Sequence, residues 1–261
     1  MNTYATLLCD REENVLTITL NRPESYNAFN DAMKRDLLDA LREAERDPAV
    51  RCLVLRGSGS KAFCSGQDLK EHDAQGRSLK ESLDRYYNPI IRRMRTMEKP
   101  IIAMVNGVAA GAGCSVALAC DMRIMSRSAR LVEVFARIGL VPDSGSHWFL
   151  VRMVGMARAF EYAATARDIS AEEAERVGLV NRVVAPEDLE RVTRETAAAL
   201  AAGPTRAIGL IKRTLNVAAR SDLDALLDYE STIQQIASQS NDHREGVRAF
   251  LEKRAARFTG S

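Results

Sequence analysis

Ile101-Ile102-Ala103-Met104-Val105-Asn106-Gly107-Val108-Ala109-Ala110-Gly111-Ala112-Gly113 is the stretch from which the fold is read. Five consecutive apolar residues after Lys99-Pro100 are too few for a globular helix and suit a buried strand. Asn106-Gly107 then turns the chain, and Gly111-Ala112-Gly113 opens a small-residue helix to about Cys120. A helix is expected over 79–97 before this strand, and short strands over 122–126 and 131–135 after it. Upstream, 4–9 and 14–20 form a hairpin joined at Asp10–Glu13, closed by Asn21-Arg22-Pro23. Asn30 or Asp31 caps an amphipathic helix to about Asp47-Pro48, and Arg51–Arg56 is a strand ended by Gly57-Ser58-Gly59-Ser60. From about Ser144 onward helical patterns dominate, interrupted at Gly155, Gly178, Pro186 and Gly203-Pro204. Asp188–Ala202 and Asp222–Ser238 are amphipathic, and Asn241 can cap a last helix from Asp242 to Arg257. The recurring strand–helix–strand order followed by helices predicts an α/β core with a helical C-terminal extension.

The 261 residues carry 37 Lys+Arg against 35 Asp+Glu, and 46% are hydrophobic, which is ample material for one large core or two small ones. So even a balance argues against nucleic acid or an anionic membrane as partner. No run of about 18 or more apolar residues exists to span a bilayer, and no secretory signal is visible at the N-terminus. Cysteines at 9, 52, 64, 114 and 120 are odd in number and lack a Cys-x-x-Cys pair, which favours a reduced, cytoplasmic setting. The three histidines, His72, His147 and His243, sit in no metal-ligand motif, so no metal is expected.

Three glycine-containing places invite chemistry. Lys61-Ala62-Phe63-Cys64-Ser65-Gly66-Gln67-Asp68-Leu69-Lys70 follows a buried strand, and Asn106–Gly113 leads into a helix. Two such loops brought together would offer two backbone N–H groups to a developing oxyanion, although each also reads as a tight turn. Neither fits a dinucleotide or phosphate-loop fingerprint. The third place is Gly139-Leu140-Val141-Pro142-Asp143-Ser144-Gly145. Asp143 there either caps the helix carrying His147, Trp148 and Phe149 or, among apolar neighbours, shuttles protons with a raised pKa.

These three stretches in this order resemble the crotonase, or enoyl-CoA hydratase/isomerase, superfamily. Asn21-Arg22-Pro23 with Asn27-Ala28-Phe29, Cys120-Asp121, Arg244-Glu245-Gly246 and Ala249-Phe250-Leu251-Glu252-Lys253-Arg254 extend the resemblance from about residue 4 to 260. It implies a ββα-spiral acyl-CoA-binding core over 1–200 and a helical trimerisation region over 201–261. It also implies homotrimers or dimers of trimers, and acyl-CoA thioester substrates with no other cofactor. Carried over by motif, the oxyanion hole is the N–H pair of Gln67 and Ala112. Ala28, Gly66, Asp68, Lys70, Gly111, Phe250 and Lys253 match positions that contact substrate or CoA, the last two from a neighbouring subunit.

The departures narrow what the resemblance implies. The two glutamates of the typical hydratase fall on Ser115 and Phe135, whereas Asp143 stands where several isomerases of the family carry their catalytic aspartate. The histidine and tryptophan of the related dehalogenase fall on Asn88 and Phe135, against dehalogenation. The fullest likeness is to ring-epoxyphenylacetyl-CoA isomerases of phenylacetate breakdown, with Ser146 replacing a usual glycine and Cys114-Ser115 a local variation. The expected function is therefore an acyl-CoA isomerase. The alternatives are an enoyl-CoA hydratase recruiting Glu133 or another acid, and a non-catalytic acyl-CoA-binding protein. On a strand Glu133 would share a face with Phe135, and is otherwise a solvated or ion-paired residue. His147, four residues after Asp143, would lie on the same helical face and tune it, or simply pack. Tyr86, Tyr87, Phe135 and Trp148 either line an aromatic acyl pocket or pack the core.

Overall fold

The N-terminal hairpin begins the larger of two sheets in the computed structural model, which describes residues 3–76 and 78–261. Among the described residues the strands are β1 (Leu7–Glu12), β2 (Val15–Leu20), β3 (Cys52–Gly57), β4 (Ala62–Cys64), β5 (Ile101–Val105), β6 (Val108–Ala110), β7 (Met122–Ser126), β8 (Arg130–Val132), β9 (Asp168–Ser170) and β10 (Arg182–Val184). The first sheet has the order β1-β2-β3-β5-β7-β10, antiparallel only between β1 and β2. The second has the order β4-β6-β8-β9, parallel except for β9. Each of β3, β5 and β7 passes through a short corner into β4, β6 and β8, so the chain steps repeatedly from one sheet to the other.

The hairpin turn sits at Glu13-Asn14, later than the expected Asp10–Glu13, with Glu13 at φ 51°. Arg11 and Glu12 stay in β1 because it is an edge strand whose charged side chains point to water. Apart from β8, the second sheet escapes sequence patterning because its strands have three residues each, too few for a period of two to show.

The helices are α1 (Asp31–Arg46), α2 (Leu69–Gln75), α3 (Leu79–Ser82), α4 (Asn88–Thr96), α5 (Ala112–Ala119), α6 (Ser146–Thr165), α7 (Ala171–Arg176), α8 (Leu189–Ala202), α9 (Thr205–Ala218), α10 (Leu223–Ser238) and α11 (Asn241–Leu251). Asn30 caps α1 by accepting from the Met33 N–H at 2.8 Å, and Met33, Leu37, Leu41 and Ala44 bury the helix's inner face. The central strands of the first sheet, β3, β5 and β7, are buried on both faces. Leu53 and Leu55 join the main core with α1 and α4, while Cys52 and Val54 turn to a second cluster under α8. None of these helices is long and apolar enough to cross a membrane.

Three expected elements change. The helix over 79–97 is interrupted by a π-turn at Leu83–Tyr87, just ahead of Pro89, which supplies no N–H to a regular helical ladder. The strand over 131–135 stops at Val132, and Val134–Ile138 is a 3-10 turn. The last helix ends at Leu251 rather than Arg257, and its cap is Ser240, which accepts from His243 N. The tail folds back instead, its Thr259 and Gly260 N–H groups donating to the buried Asp242 carboxylate.

Buried Lys212 of α9 ties the C-terminal helices to the core. It pairs with Asp121 at 2.8 Å and donates to the carbonyls of Met94 and Lys99. Lys212→Met leaves those acceptors without their buried donor, so urea unfolding should show a loss of about 3 kcal/mol.

Candidate active site

The start of α5 and the end of β4 meet back to back. A Cβ on Gly113 would stand 2.2 Å from the Cys64 carbonyl oxygen, a contact that only glycine allows. Gly66, at φ 98°, has its Cα turned toward the same helix start: a Cβ there would lie 2.9 Å from Ala110 O and 3.5 Å from Ala112 N. Gln67 is held beside Phe29 by a parallel bridge. Phe29 N donates to Gly66 O at 2.7 Å and Asp68 N to Phe29 O at 3.0 Å, which leaves the intervening Gln67 N–H on the opposite side. Ala112 is the first residue of α5, whose N-terminus has no side-chain cap. Among the described residues neither the Gln67 nor the Ala112 N–H has a protein acceptor. Both residues line one cleft of about 100 Å³, together with Gly66, Gly111, Phe135 and Asp143.

Asp143 lies in the loop before α6 and does not cap it. Gly145 occupies the cap position at φ 83°, and only the Asp143 main-chain carbonyl accepts from Ser146 N. Ser144, at φ 52°, adds a second left-handed residue, a strain of the kind that accumulates at functional loops. The Asp143 carboxylate is thereby aimed at the cleft, where it accepts from the Ser144 hydroxyl at 2.8 Å. Burial raises its pKa, against the lowering effects of that hydroxyl and of His147. His147 is exposed on the first turn of α6, and because Asp143 lies before that helix the two share no helical face.

Behind the cleft, Lys34 is 1% exposed. It pairs with Asp31 at 2.8 Å and donates to Ser82 Oγ and Gln67 Oε1, while Tyr87 Oη donates to the same Gln67 oxygen at 2.7 Å. These contacts fix the Gln67 side chain and so the peptide that carries its N–H. Sequence reasoning missed Lys34, although a lysine in register with Leu37, Leu38 and Leu41 on one helix face was the available signal.

The other expected residues divide. Ala28 is buried next to Phe29, its carbonyl accepting from Arg22, and Asp68 caps α2 and pairs with Arg22 at 3.0 Å. Lys70 is exposed on α2. Phe250 and Lys253 lie at the exposed C-terminal end and do not line this cleft within one chain. Of the aromatic residues, Phe135 and Tyr87 line the cleft, with Leu83 and Ile138 as further apolar wall. Tyr86 does not: it is buried, although the Lys34 ammonium lies 5.3 Å from its ring as it does from that of Tyr87. Trp148 stacks under Arg152 and borders a separate cavity with Arg95 and Tyr229. Glu133 is not solvated, and among the described residues it has no ion-pair partner. It is fully buried where β8 gives way to the 3-10 turn, so it shares no strand face with Phe135. Among the described residues no group of three or more His, Cys, Asp or Glu is arranged to hold a metal.

A raised-pKa carboxylate and two unengaged N–H groups in one apolar cleft can take a proton from carbon while stabilising the negative charge that appears on an adjacent carbonyl oxygen. Comparison with known proteins agrees in kind. A family model for enoyl-CoA hydratase/isomerase matches residues 10–261. The 1,2-epoxyphenylacetyl-CoA isomerase of Escherichia coli K12 is 45% identical over 258 residues, covering 97% of this chain and 98% of the relative. A probable enoyl-CoA hydratase of Rhodobacter capsulatus is 45% identical over 257 residues, covering 98% and 99%. Among solved structures, an enoyl-CoA hydratase from Bacillus anthracis superposes with a TM-score of 0.93 at 32% identity, covering 98% of this chain and 100% of the other.

Proposed function

The chain belongs to the enoyl-CoA hydratase/isomerase family and has its α/β crotonase fold, and from that premise we propose that it is an acyl-CoA isomerase with Asp143 as its acid–base group. The observation that carries this reading is the single carboxylate among the described residues that line the cleft. Asp143 lines it with Gln67 and Ala112, whereas by the family resemblance Ser115 and Phe135 fall where a hydratase has its two glutamates. The thioester carbonyl accepts from the Gln67 and Ala112 N–H groups. Ionised Asp143 removes a proton from the acyl carbon, the electron pair passes to the carbonyl oxygen as an enolate, and Asp143 returns the proton to another carbon. Net, one hydrogen and one double bond change places, with CoA as part of the substrate and no other cofactor. Likeness to the epoxyphenylacetyl-CoA isomerase supports a ring-epoxide substrate opening through the same enolate, and Phe135 and Tyr87 supply aromatic walls for it.

Against hydration, Glu133 is 0% exposed and absent from the cleft wall, out of reach of an attacking water. A homotrimer or dimer of trimers is part of the proposal. Leu215, Leu223, Phe250 and Leu251 are each more than 60% exposed in one chain, an apolar surface suited to another copy. Phe250 and Lys253 would reach a neighbour's CoA from there. In deuterated buffer, a 3-enoyl-CoA should become the 2-enoyl isomer with deuterium entering the acyl chain. Efficient hydration of crotonyl-CoA without that migration would overturn the isomerase reading, and binding without either reaction would mark a non-catalytic acyl-CoA carrier.

A further inference from the structure

Two of the residues that depart from the family pattern, Ser115 and Ser146, touch each other behind the cleft. Their hydroxyl oxygens are 3.1 Å apart. Ser146 Oγ is also 2.8 Å from Glu133 Oε1, and Ser115 Oγ is 3.2 Å from the main-chain oxygen of Asp143. The chain Glu133–Ser146–Ser115–Asp143 therefore has three links, and each link needs one proton. Its two hydroxyls supply two. A carbonyl oxygen has none, so the third must come from Glu133. With the carboxyl protonated, every group donates to the next in one direction and ends on the Asp143 carbonyl. With it ionised, Ser146 must turn to donate to Glu133, and Ser115 must choose between Ser146 and the carbonyl.

The surroundings favour the neutral acid. Glu133 is 0% exposed, among the described residues it has no ion-pair partner, and its Oε2 has no partner stronger than the Cys114 thiol on α5. The charged groups around it are the Asp143 carboxylate on the loop before α6 and, beyond Cys114, Arg123, whose guanidinium is held by the carbonyls of Leu118, Cys120 and Leu179. Burial pushes the Glu133 carboxyl up to about 7, Asp143 adds to the rise, and Ser146 and Cys114 oppose it.

We propose that Glu133 is held as the neutral acid and is a positioning residue, aiming the Asp143 loop at the oxyanion hole through Ser146 and Ser115. Ser115 Oγ is equally 3.2 Å from Gly111 O, the carbonyl just before the Ala112 N–H. Ser115 has one proton to give, so it bonds one carbonyl at a time, and its hydroxyl lies between the Asp143 backbone and the helix start that presents the donor. Loss of the Glu133 proton frees the loop and lowers kcat with little change in KM. The inference rests on Asp143 as the acid–base group.

The test is kcat for 3-enoyl-CoA migration against pH, from about 5.5 to 8.5, in wild type, Glu133→Gln and Glu133→Leu. Wild type should lose kcat by about tenfold to a hundredfold through an alkaline limb centred near 7. Glu133→Leu should be slow throughout, and Glu133→Gln, whose amide donates to Ser146 at every pH, should recover the turnover and lose the limb. A limb retained in Glu133→Gln, or Gln as slow as Leu at low pH, overturns the proposal. Infrared difference spectra decide the protonation apart from turnover. A protonated-carboxyl band at pH 6, absent from Glu133→Gln, supports it, and its absence from wild type overturns it. Full turnover in Asp143→Asn with the band intact would instead remove the acid–base reading, and the positioning role with it.

Discussion

Asp143→Asn should leave an acyl-CoA bound and all but stop its isomerisation, with kcat lower by about 10³-fold, within the usual range for a general acid–base group. The substitution is nearly isosteric, and the Asn carbonyl oxygen can still accept from Ser144, which donates to Asp143 Oδ1 at 2.8 Å. Gly145 and Ser144 keep their left-handed turns, so the loop retains its course. What disappears is the one carboxylate among the described residues that line the cleft, and with it the lone pair that takes a proton from carbon. Calorimetry with a CoA thioester should find affinity within about threefold of wild type, since the amide pair and apolar walls are untouched. The pH profile of wild type has a matching sign. Burial raises the Asp143 pKa, so the base form, and with it turnover, is lost on acidification at a pH above that of an ordinary aspartate. The same shift means that the fold favours the neutral acid. Its stabilising contribution is complete below the unfolded-state pKa and is lost as pH rises through the folded one. Near neutrality Asp143→Asn should therefore be the more stable protein as well as the inactive one. Undiminished turnover would remove Asp143 from the chemistry.

How far these residues could be found without coordinates depended on whether their environment was local. The hairpin, α1 and the buried strand Ile101–Val105 follow from patterns within five to sixteen residues, and they appear close to where expected. Gly66 and Gly111 were legible as places where backbone approaches something, because glycine after a strand or before a helix has few other reasons to be there. Glu133 was not legible. The face shared with Phe135 assumes that β8 continues that far, and the alternative of a solvated residue assumes no cover, but Ser146, thirteen residues away, and Cys114 on α5 close over it. Lys34 was hidden likewise, since its partners Gln67 and Ser82 are far along the chain. The capping alternative for Asp143 has sound local logic, and the two left-handed residues after it defeat that logic by moving the cap position to Gly145. Tyr86 and Tyr87 differ only in which way a π-turn faces them, a rotation that composition does not encode.

The oxyanion hole offers the second large effect, because its two donors are held together by contact between backbones. Gly113→Ala adds one methyl group, 2.2 Å from Cys64 O and 2.8 Å from both Cys64 C and Cβ. No rotamer relieves a clash between a Cβ and main chain, so α5 and the end of β4 must part by about 1 Å to restore van der Waals distance. That movement separates Ala112 N from Gln67 N by a similar amount. A donor lost from an oxyanion hole lowers kcat by about 10²–10³-fold, and a misplacement of about 1 Å costs on the order of 10²-fold. The expected result is a 10²-fold or greater fall in kcat, with about 1–3 kcal/mol of overpacking visible in urea unfolding. Gly246→Ala is the control. Its added Cβ would meet only the Phe258 ring at 3.5 Å, so it should be neutral or slightly stabilising and leave kcat unchanged. The pairing with Asp143→Asn is informative in a further way. An oxyanion hole assists only while a base is generating the enolate, so Gly113→Ala should cost far less in the Asp143→Asn background than in wild type. Equal costs in both backgrounds would mean that Ala112 and Asp143 act on different steps. A Gly113→Ala protein with wild-type kcat would show that the Ala112 N–H does not carry the oxyanion.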